Sequence, residues 1–168
     1  GRMYRIKAYE IPEGSRTAQG LNIDNTLPLT PAEKVTVTLP ASELDEEHFI
    51  TMVTKKGIIK RTKLSEFRHT RKSGIIAISI DEDDELTFVK LTDGDDNLLI
   101  ATKKGMAIQF NESGVRAVGR NARGVKAITM RSDDEVVAME VTDENTRLLT
   151  ITETGYGRVS PISDYRLQ

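Results

Sequence analysis

The sequence predicts an all-β protein of repeated four-stranded antiparallel units, arranged like the blades of a propeller. Two glycine series and one recurring hairpin phrase carry that expectation. The phrase reads MVTKKGIIKRTKLSEF at 52–67, IATKKGMAIQFNESGV at 100–115 and TITETGYGRVSPISDY at 150–165. The opening GRMYRIKAYEI, 1–11, looks like a further copy without its lead-in strand. Aligning Gly1, Gly57, Gly105 and Gly155 gives steps of 56, 48 and 50 residues. The second series, Gly20, Gly74 and Gly124, gives steps of 54 and 50. Periods of roughly 40–50 residues mark propellers, solenoids or arrays.

Each element then has a local reason. Residues 35–39 (VTVTL) alternate apolar and polar, as a strand with one buried face should. Residues 49–54 and 57–62 are short strand-like runs joined by Lys55 and Lys56. Gly57, Gly105 and Gly155 stand where a tight hairpin needs positive φ. Residues 75–80 and 86–92 supply two more strands around an acidic turn at 81–85. Residues 92–97 read as the loop to the next unit. Frequent Gly and β-branched residues leave no sustained 3.6-residue period, so helix is a poor alternative. The units expected are 1–48, a blade lacking its lead-in strand; 49–97 and 98–147, two whole blades; and 148–168, the first hairpin of another.

With 168 residues, 38% of them hydrophobic, the chain can bury a core. No stretch approaches the ~18 apolar residues of a membrane span, and the opening carries no signal-peptide pattern. Cys is absent, which excludes disulfides and thiolate metal sites. His48 and His69 do not fall in a metal-ligand spacing. No phosphate-binding loop, dinucleotide-binding glycine pattern or hydrolase nucleophile motif is present. The acidic clusters at 81–85 and 93–96 lack the length and terminal Glu of a calcium loop and read as turns. Tyr4, Tyr9, Tyr156 and Tyr165 recur at related places and are expected to pack between blades. With aromatics at 5% and no Trp, stacking on single-stranded bases has little support.

Charge is sorted by half-repeat although the net is only -2. Residues 55–72 sum to +7 and 81–96 to -7; residues 103–126 sum to +5 and 131–147 to -4. Aligned blades would merge the basic halves into a positive band able to bind a polyanion, because screening over ~8 Å makes binding respond to local charge. The alternative is an ordinary solvated surface.

The phrases KAYEIPEGSRTAQG, TKKGIIKRT, VKLTDGDD, ATKKGMAIQFNESGVRAVGRNARGVKAI and TETGYGRVSPISDY closely resemble the C-terminal domain of bacterial DNA gyrase A. The likeness covers essentially the whole chain. The equivalent domain of topoisomerase IV, with its degenerate blades, is a weaker match. The resemblance implies a β-pinwheel whose basic rim bends duplex DNA around itself without sequence readout, in support of ATP-dependent negative supercoiling by the parent type II topoisomerase. It implies a bacterial, cytoplasmic, nucleoid-associated setting, whose partners would be the rest of gyrase A and the gyrase B subunit. No membrane is implied. This chain would be an interior portion, without the signature basic box or the catalytic core. No activity of its own and no cofactor are expected, since ATP and Mg serve other domains of the parent complex. About three blades cannot close a ring, so an open arc with exposed edge strands, through which copies can pair, is expected.

The candidate DNA contacts are Lys55, Lys56, Lys60, Arg61, Lys63, Arg68, Arg71 and Lys72 in the most basic unit. Lys103, Lys104, Arg116, Arg120, Arg123 and Lys126 are their counterparts in the next, and Arg5, Lys7 and Arg16 belong to the first. A scaffold that binds other proteins is the reading from a different class, since propeller-like folds do not fix function.

Overall fold

A computed structural model describes every residue except Glu43. The strands are β1 (Arg2–Met3), β2 (Phe49–Thr54), β3 (Ile58–Lys63), β4 (Ile75–Ile76), β5 (Leu86–Thr92), β6 (Asn97–Thr102), β7 (Ala107–Asn111), β8 (Val125–Lys126), β9 (Val136–Thr142), β10 (Arg147–Ile151) and β11 (Gly157–Pro161). Short 3-10 turns follow the hairpins at Leu64–Phe67, Glu112–Gly114 and Ile162–Asp164. Among the described residues there is no α-helix, and no helix long and apolar enough to cross a membrane.

The hairpins form as the glycine series predicts. In β2–β3 the Gly57 N–H donates to the Thr54 carbonyl at 2.9 Å. The Thr54 hydroxyl accepts from the Ile58 N–H at 3.1 Å. Thr102 and Thr152 make the same two contacts with their own turns. Gly57, Gly105 and Gly155 have φ of 80°, 80° and 88°, a region a Cβ disfavours.

The second glycine series marks an exchange of strands between repeats. The complete sheet runs β5-β2-β3-β8, so its fourth strand comes from the following unit. Val125 pairs with Ile59 and Lys126 with Ile58. One unit earlier, Ile75 of β4 pairs with Met3 and Ile76 with Arg2 of β1. Gly124, at φ 105°, lies so close to the Ile59 carbonyl that no Cβ fits. Gly74 lies against the Tyr4 ring in the same way, 2.7 Å from where its Cβ would be. The chain therefore crosses the preceding blade at each of these glycines.

The core sits between blades, which is why the lead-in strands are apolar on both faces. Ile50 and Met52 of β2 join Leu64, Phe67, Ala77 and Ile78 in one cluster. Val53 points the other way, into a cluster with Ile59, Leu98, Ile100, Ile128, Val136 and Met139. Alternate side chains of one strand thus feed two successive interfaces.

Several expectations are corrected. Residues 35–39 do not pair as a strand, and Val35 and Val37 are exposed. Their counterparts β5 and β9 pair with the lead-in strands β2 and β6, and the first unit of this chain has no such strand. Only Ile75–Ile76 of the expected strand at 75–80 is paired as a strand. Tyr9 and Tyr156 are 83% and 78% exposed and do not pack between blades. Tyr156 lies at the place Ile58 holds in β3, but β11 has no β8-type strand beside it. Tyr4 and Tyr165 are half-buried.

Candidate nucleic-acid interface

The basic residues fall into three structural groups. The first lies at the hairpin tips and is held by the acidic turns. Lys55 reaches Glu135 at 3.1 Å and Glu85 at 3.6 Å, and Lys56 is paired with Asp83. Lys103 reaches Glu135 at 3.5 Å, and the Lys104 ammonium donates to the Ser132 carbonyl at 2.6 Å. The acidic side chains also cap the turns: Asp84 and Asp134 accept from the backbone N–H of Lys56 and Lys104. Hydrogen bonding to Glu135 raises Lys55 above its ordinary value, and Lys55 in turn holds Glu135 below its own. The basic and acidic halves of the same and of neighbouring repeats therefore meet at the tips, which carry no uninterrupted positive band among the described residues.

The second group is internal, and here the sequence expectation is corrected. Lys60 is fully buried, and its ammonium donates to the carbonyls of Ala77, at 2.6 Å, and Arg120. Burial, reinforced by the Arg120 charge, pushes it down to about 8. Arg61 is 8% exposed, with its guanidinium 4.4 Å over the Phe49 ring. It donates to the Gly94 carbonyl at 3.1 Å and meets Glu112 at 3.2 Å. A buried guanidinium committed to a carboxylate and a ring face cannot also reach a phosphate. Both residues alternate within a strand sandwiched by two neighbours, so charge at these positions turns inward.

The third group lies in the segments that follow the 3-10 turns, and these cross the preceding blade. Arg2 donates to the Ser73 carbonyl and Arg5 to that of Arg68, which lays segment 68–74 against β1. The Val118 N–H donates to the Arg61 carbonyl, and Ser79 bonds to Asn121 and Ala122. That lays segment 116–124 against the second blade in the corresponding place. The Gln168 N–H donates to the Gln109 carbonyl one unit on. Exposed cations ride on these segments: Arg68, Arg71 and Lys72 on one, Arg116 on the next. Arg71, Lys72, Arg116 and the β8 residue Lys126 have no ion-pair partner among the described residues, and neither do exposed Lys7 and Arg16. Arg68 meets Glu46 at 3.4 Å, and Lys63 meets the same carboxylate at 3.6 Å. Arg123 is paired with Asp81, and Arg120 is half-buried.

Two residues escaped the sequence reading. Arg166 follows Tyr165 as Arg116 follows Val115 and Arg68 follows Phe67, so the same cation recurs in three units; the repeat itself contains that signal. Glu112 is wholly buried where its counterparts are Leu64 and Ile162. An acid at an apolar position of a repeat was the readable sign.

Asp93, Asp96 and Glu112 come close enough to one another to share an ion. Glu112 is already satisfied by protein: its oxygens accept from Thr92, Gly94 and Asp96 and meet Arg61. Burial raises Asp96 above its ordinary value. The cluster is a loop anchor.

Fold and surface together define a class: strand-exchanged β-blades in tandem, with cation-bearing segments laid over each preceding blade. Within it, residues 1–36, 48–93, 96–143 and 146–168 match the family model for the DNA gyrase C-terminal domain, beta-propeller. The chain belongs to that family. It is 54% identical over 125 residues to the DNA gyrase A protein of Clostridium acetobutylicum, covering 74% of this chain and 15% of that one. It is 43% identical over 170 residues to the DNA gyrase A protein of Staphylococcus epidermidis strain ATCC 12228, covering 99% and 19%. The chain thus spans under a fifth of these curated relatives. Among solved structures, a DNA topoisomerase IV C-terminal domain matches at TM-score 0.87 and 26% identity, covering 95% of this chain and 50% of that one. A DNA gyrase A C-terminal domain matches at 0.83 and 27%, covering 100% and 54%.

Proposed function

We propose that this chain binds duplex DNA without sequence readout and bends it along the segments that cross successive blades, as part of a gyrase A protein. The observation that carries the reading is the recurrence of Arg68, Arg116 and Arg166 at one place of the repeat, with Arg71 and Lys72 exposed beside the first. Cations at regular intervals on a rigid array suit wrapping, because phosphate contacts fix position and carry no base information. Bending 20–30 bp by 40–90° costs on the order of 1–6 kcal/mol, which repeated contacts must offset.

In this reading the contact set narrows to Arg68, Arg71, Lys72, Arg116, Lys126, Arg166, Lys7 and Arg16. The tip lysines contribute less because carboxylates hold them. ATP, Mg, the rest of gyrase A and the gyrase B subunit would belong to the parent complex, in a bacterial cytoplasm and on its nucleoid. This chain would have no catalysis of its own. The exposed Leu149, Ile151 and Val159 of β10–β11 suit edge pairing between copies at high concentration.

The test is topological. Nicked plasmid is ligated with and without the protein at low salt, and the linking numbers are compared. A protein-dependent shift supports wrapping. Retention in a gel shift with no change in linking number would reduce the reading to simple binding, and no retention at low salt would favour a protein-binding scaffold.

A further inference from the structure

We infer that Arg61 and Glu112 are a positioning pair that fixes the angle between the second and third blades, and through it the course of DNA across them, while touching no DNA. The inference rests on the wrapping reading above. Arg61 belongs to β3 of the second unit, and Glu112 begins the 3-10 turn of the third. Between them lies the connecting loop at 93–96. Glu112 gathers that loop around one carboxylate: one oxygen accepts from the N–H groups of Gly94, at 2.7 Å, and Asp96, at 3.1 Å. The other accepts from the Thr92 hydroxyl at 2.7 Å and meets Arg61 at 3.2 Å. Thr92 in turn shares a hydrogen bond with Thr51 of β2. Arg61 closes the ring of contacts on the Gly94 carbonyl. Both blades and their connection are tied at a single buried point.

The other junctions are built differently. At the next one Gln109 stands at Arg61's place and Ile162 at Glu112's. The Gln109 amide donates to Thr142 at 3.1 Å, and the loop closes on itself through Asp143 and Thr146. At the previous junction Arg5 and Leu64 hold these two places, Arg5 stays exposed on the Arg68 carbonyl, and the Asp45 carboxylate closes the loop on His48. A neutral junction therefore serves this fold. The charged one leaves the Arg61 Nε buried without a partner, an arrangement that packing alone does not favour. Its distinctive consequence is geometric: a buried ion pair tolerates little change in distance or orientation, so the two blades cannot rock. The cation-bearing segments 68–74 and 116–124 lie on either side of this junction.

The test compares wild type, R61Q/E112I and R71E/K72E. The double R61Q/E112I copies the neutral junction found one unit later. Each chain is measured by small-angle scattering alone, and by energy transfer between the ends of a short labelled duplex at saturating protein. R61Q/E112I should keep its circular dichroism and bind within about twofold of wild type, since the phosphate contacts lie elsewhere. Its free-chain scattering should shift, and the bound duplex should lose end-to-end transfer. R71E/K72E should lose affinity and leave the scattering unchanged. Unchanged scattering and transfer in R61Q/E112I would overturn the proposal, as would an affinity loss equal to that of R71E/K72E, which would put Arg61 on the DNA. If R61Q/E112I does not fold, R61Q, which removes the ion pair and leaves the Glu112 carboxylate its Thr92, Gly94 and Asp96 donors, carries the same readouts. A wild-type chain that leaves the duplex straight overturns the wrapping reading instead, and the scattering comparison still decides the junction.

Discussion

The Lys60 ammonium and the Ala77 carbonyl are 2.6 Å apart inside the second blade, and the same ammonium also holds the Arg120 carbonyl of the next repeat. One cation thus links a strand of the second blade to the Ala77 segment of its own repeat and to the Arg120 segment of the next, which crosses it.

This link gives stability an alkaline dependence. Burial and the Arg120 charge lower Lys60 from 10.5 to about 8. Between those values the unfolded chain holds the proton and the folded chain releases it. The unfolded state then binds more protons, so stability rises with pH across that window. Lys60→Met removes the titration and leaves two carbonyls without their donor, which costs about 1–3 kcal/mol apiece at any pH. In urea unfolding, the gap between wild type and K60M should widen from about pH 7 to about pH 10. Parallel curves would show that Lys60 does not titrate there.

Much of this structure could be read from spacing, and the part that could not has a physical cause. The hairpins at Gly57, Gly105 and Gly155 depend on local turn chemistry, which a repeat displays directly. The exchange of β8 onto β3 rests on two residue pairs contributed by different repeats, too short for an alternation pattern to reveal. Residues 35–39 have a strand's alternation, yet pairing needs a neighbour. At the surface, a run of lysines and arginines reads as solvated, but strands buried on both faces turn Lys60 and Arg61 inward. Their neighbours Lys63 and Arg68 stay outside, so burial separated charges that sequence had grouped.

The two glycine series should respond unequally to alanine. At Gly105 a Cβ would meet nothing within 4 Å, so G105A bears only the cost of φ 80°, about 1–2 kcal/mol. At Gly124 the same penalty adds to a clash with the Ile59 carbonyl, and β8 must leave β3. G124A should be destabilised by at least about 1 kcal/mol more than G105A in thermal or urea unfolding. Equal losses would show that the strand exchange contributes little.

Salt dependence offers a residue-level check on the contact set. Each neutralised phosphate contributes a slope of about -0.9 to log affinity against log salt. Arg116→Gln and Arg166→Gln, at equivalent places of adjacent units, should each flatten that slope by about one. A flattening for one and not the other would break the equivalence of the blades along the DNA. R71E/K72E, which reverses two unpaired charges, should weaken low-salt binding by about tenfold or more.

The hairpin tips supply the contrasting case. Lys55 and Lys103 share Glu135, at 3.1 and 3.5 Å, and each also has a second carboxylate partner within 4.0 Å. A phosphate would have to displace those carboxylates before gaining either cation, so the net return from the tips is small. K55A/K103A should therefore change duplex affinity by less than about twofold at low salt, set against the larger loss from R71E/K72E. Acid provides the converse. Hydrogen bonding to Lys55 holds Glu135 below its ordinary value, so the pair persists above the unfolded carboxyl value and is lost as pH falls through the lowered one. In wild type the Glu135 contacts of Lys55 and Lys103 should be lost only in that acidic range, whereas Glu135→Gln should remove them at neutral pH and leave Lys55 on Glu85 and Lys103 on Glu153. A gel shift at neutral pH in which K55A/K103A loses as much affinity as R71E/K72E would move the DNA path from the crossing segments to the tips.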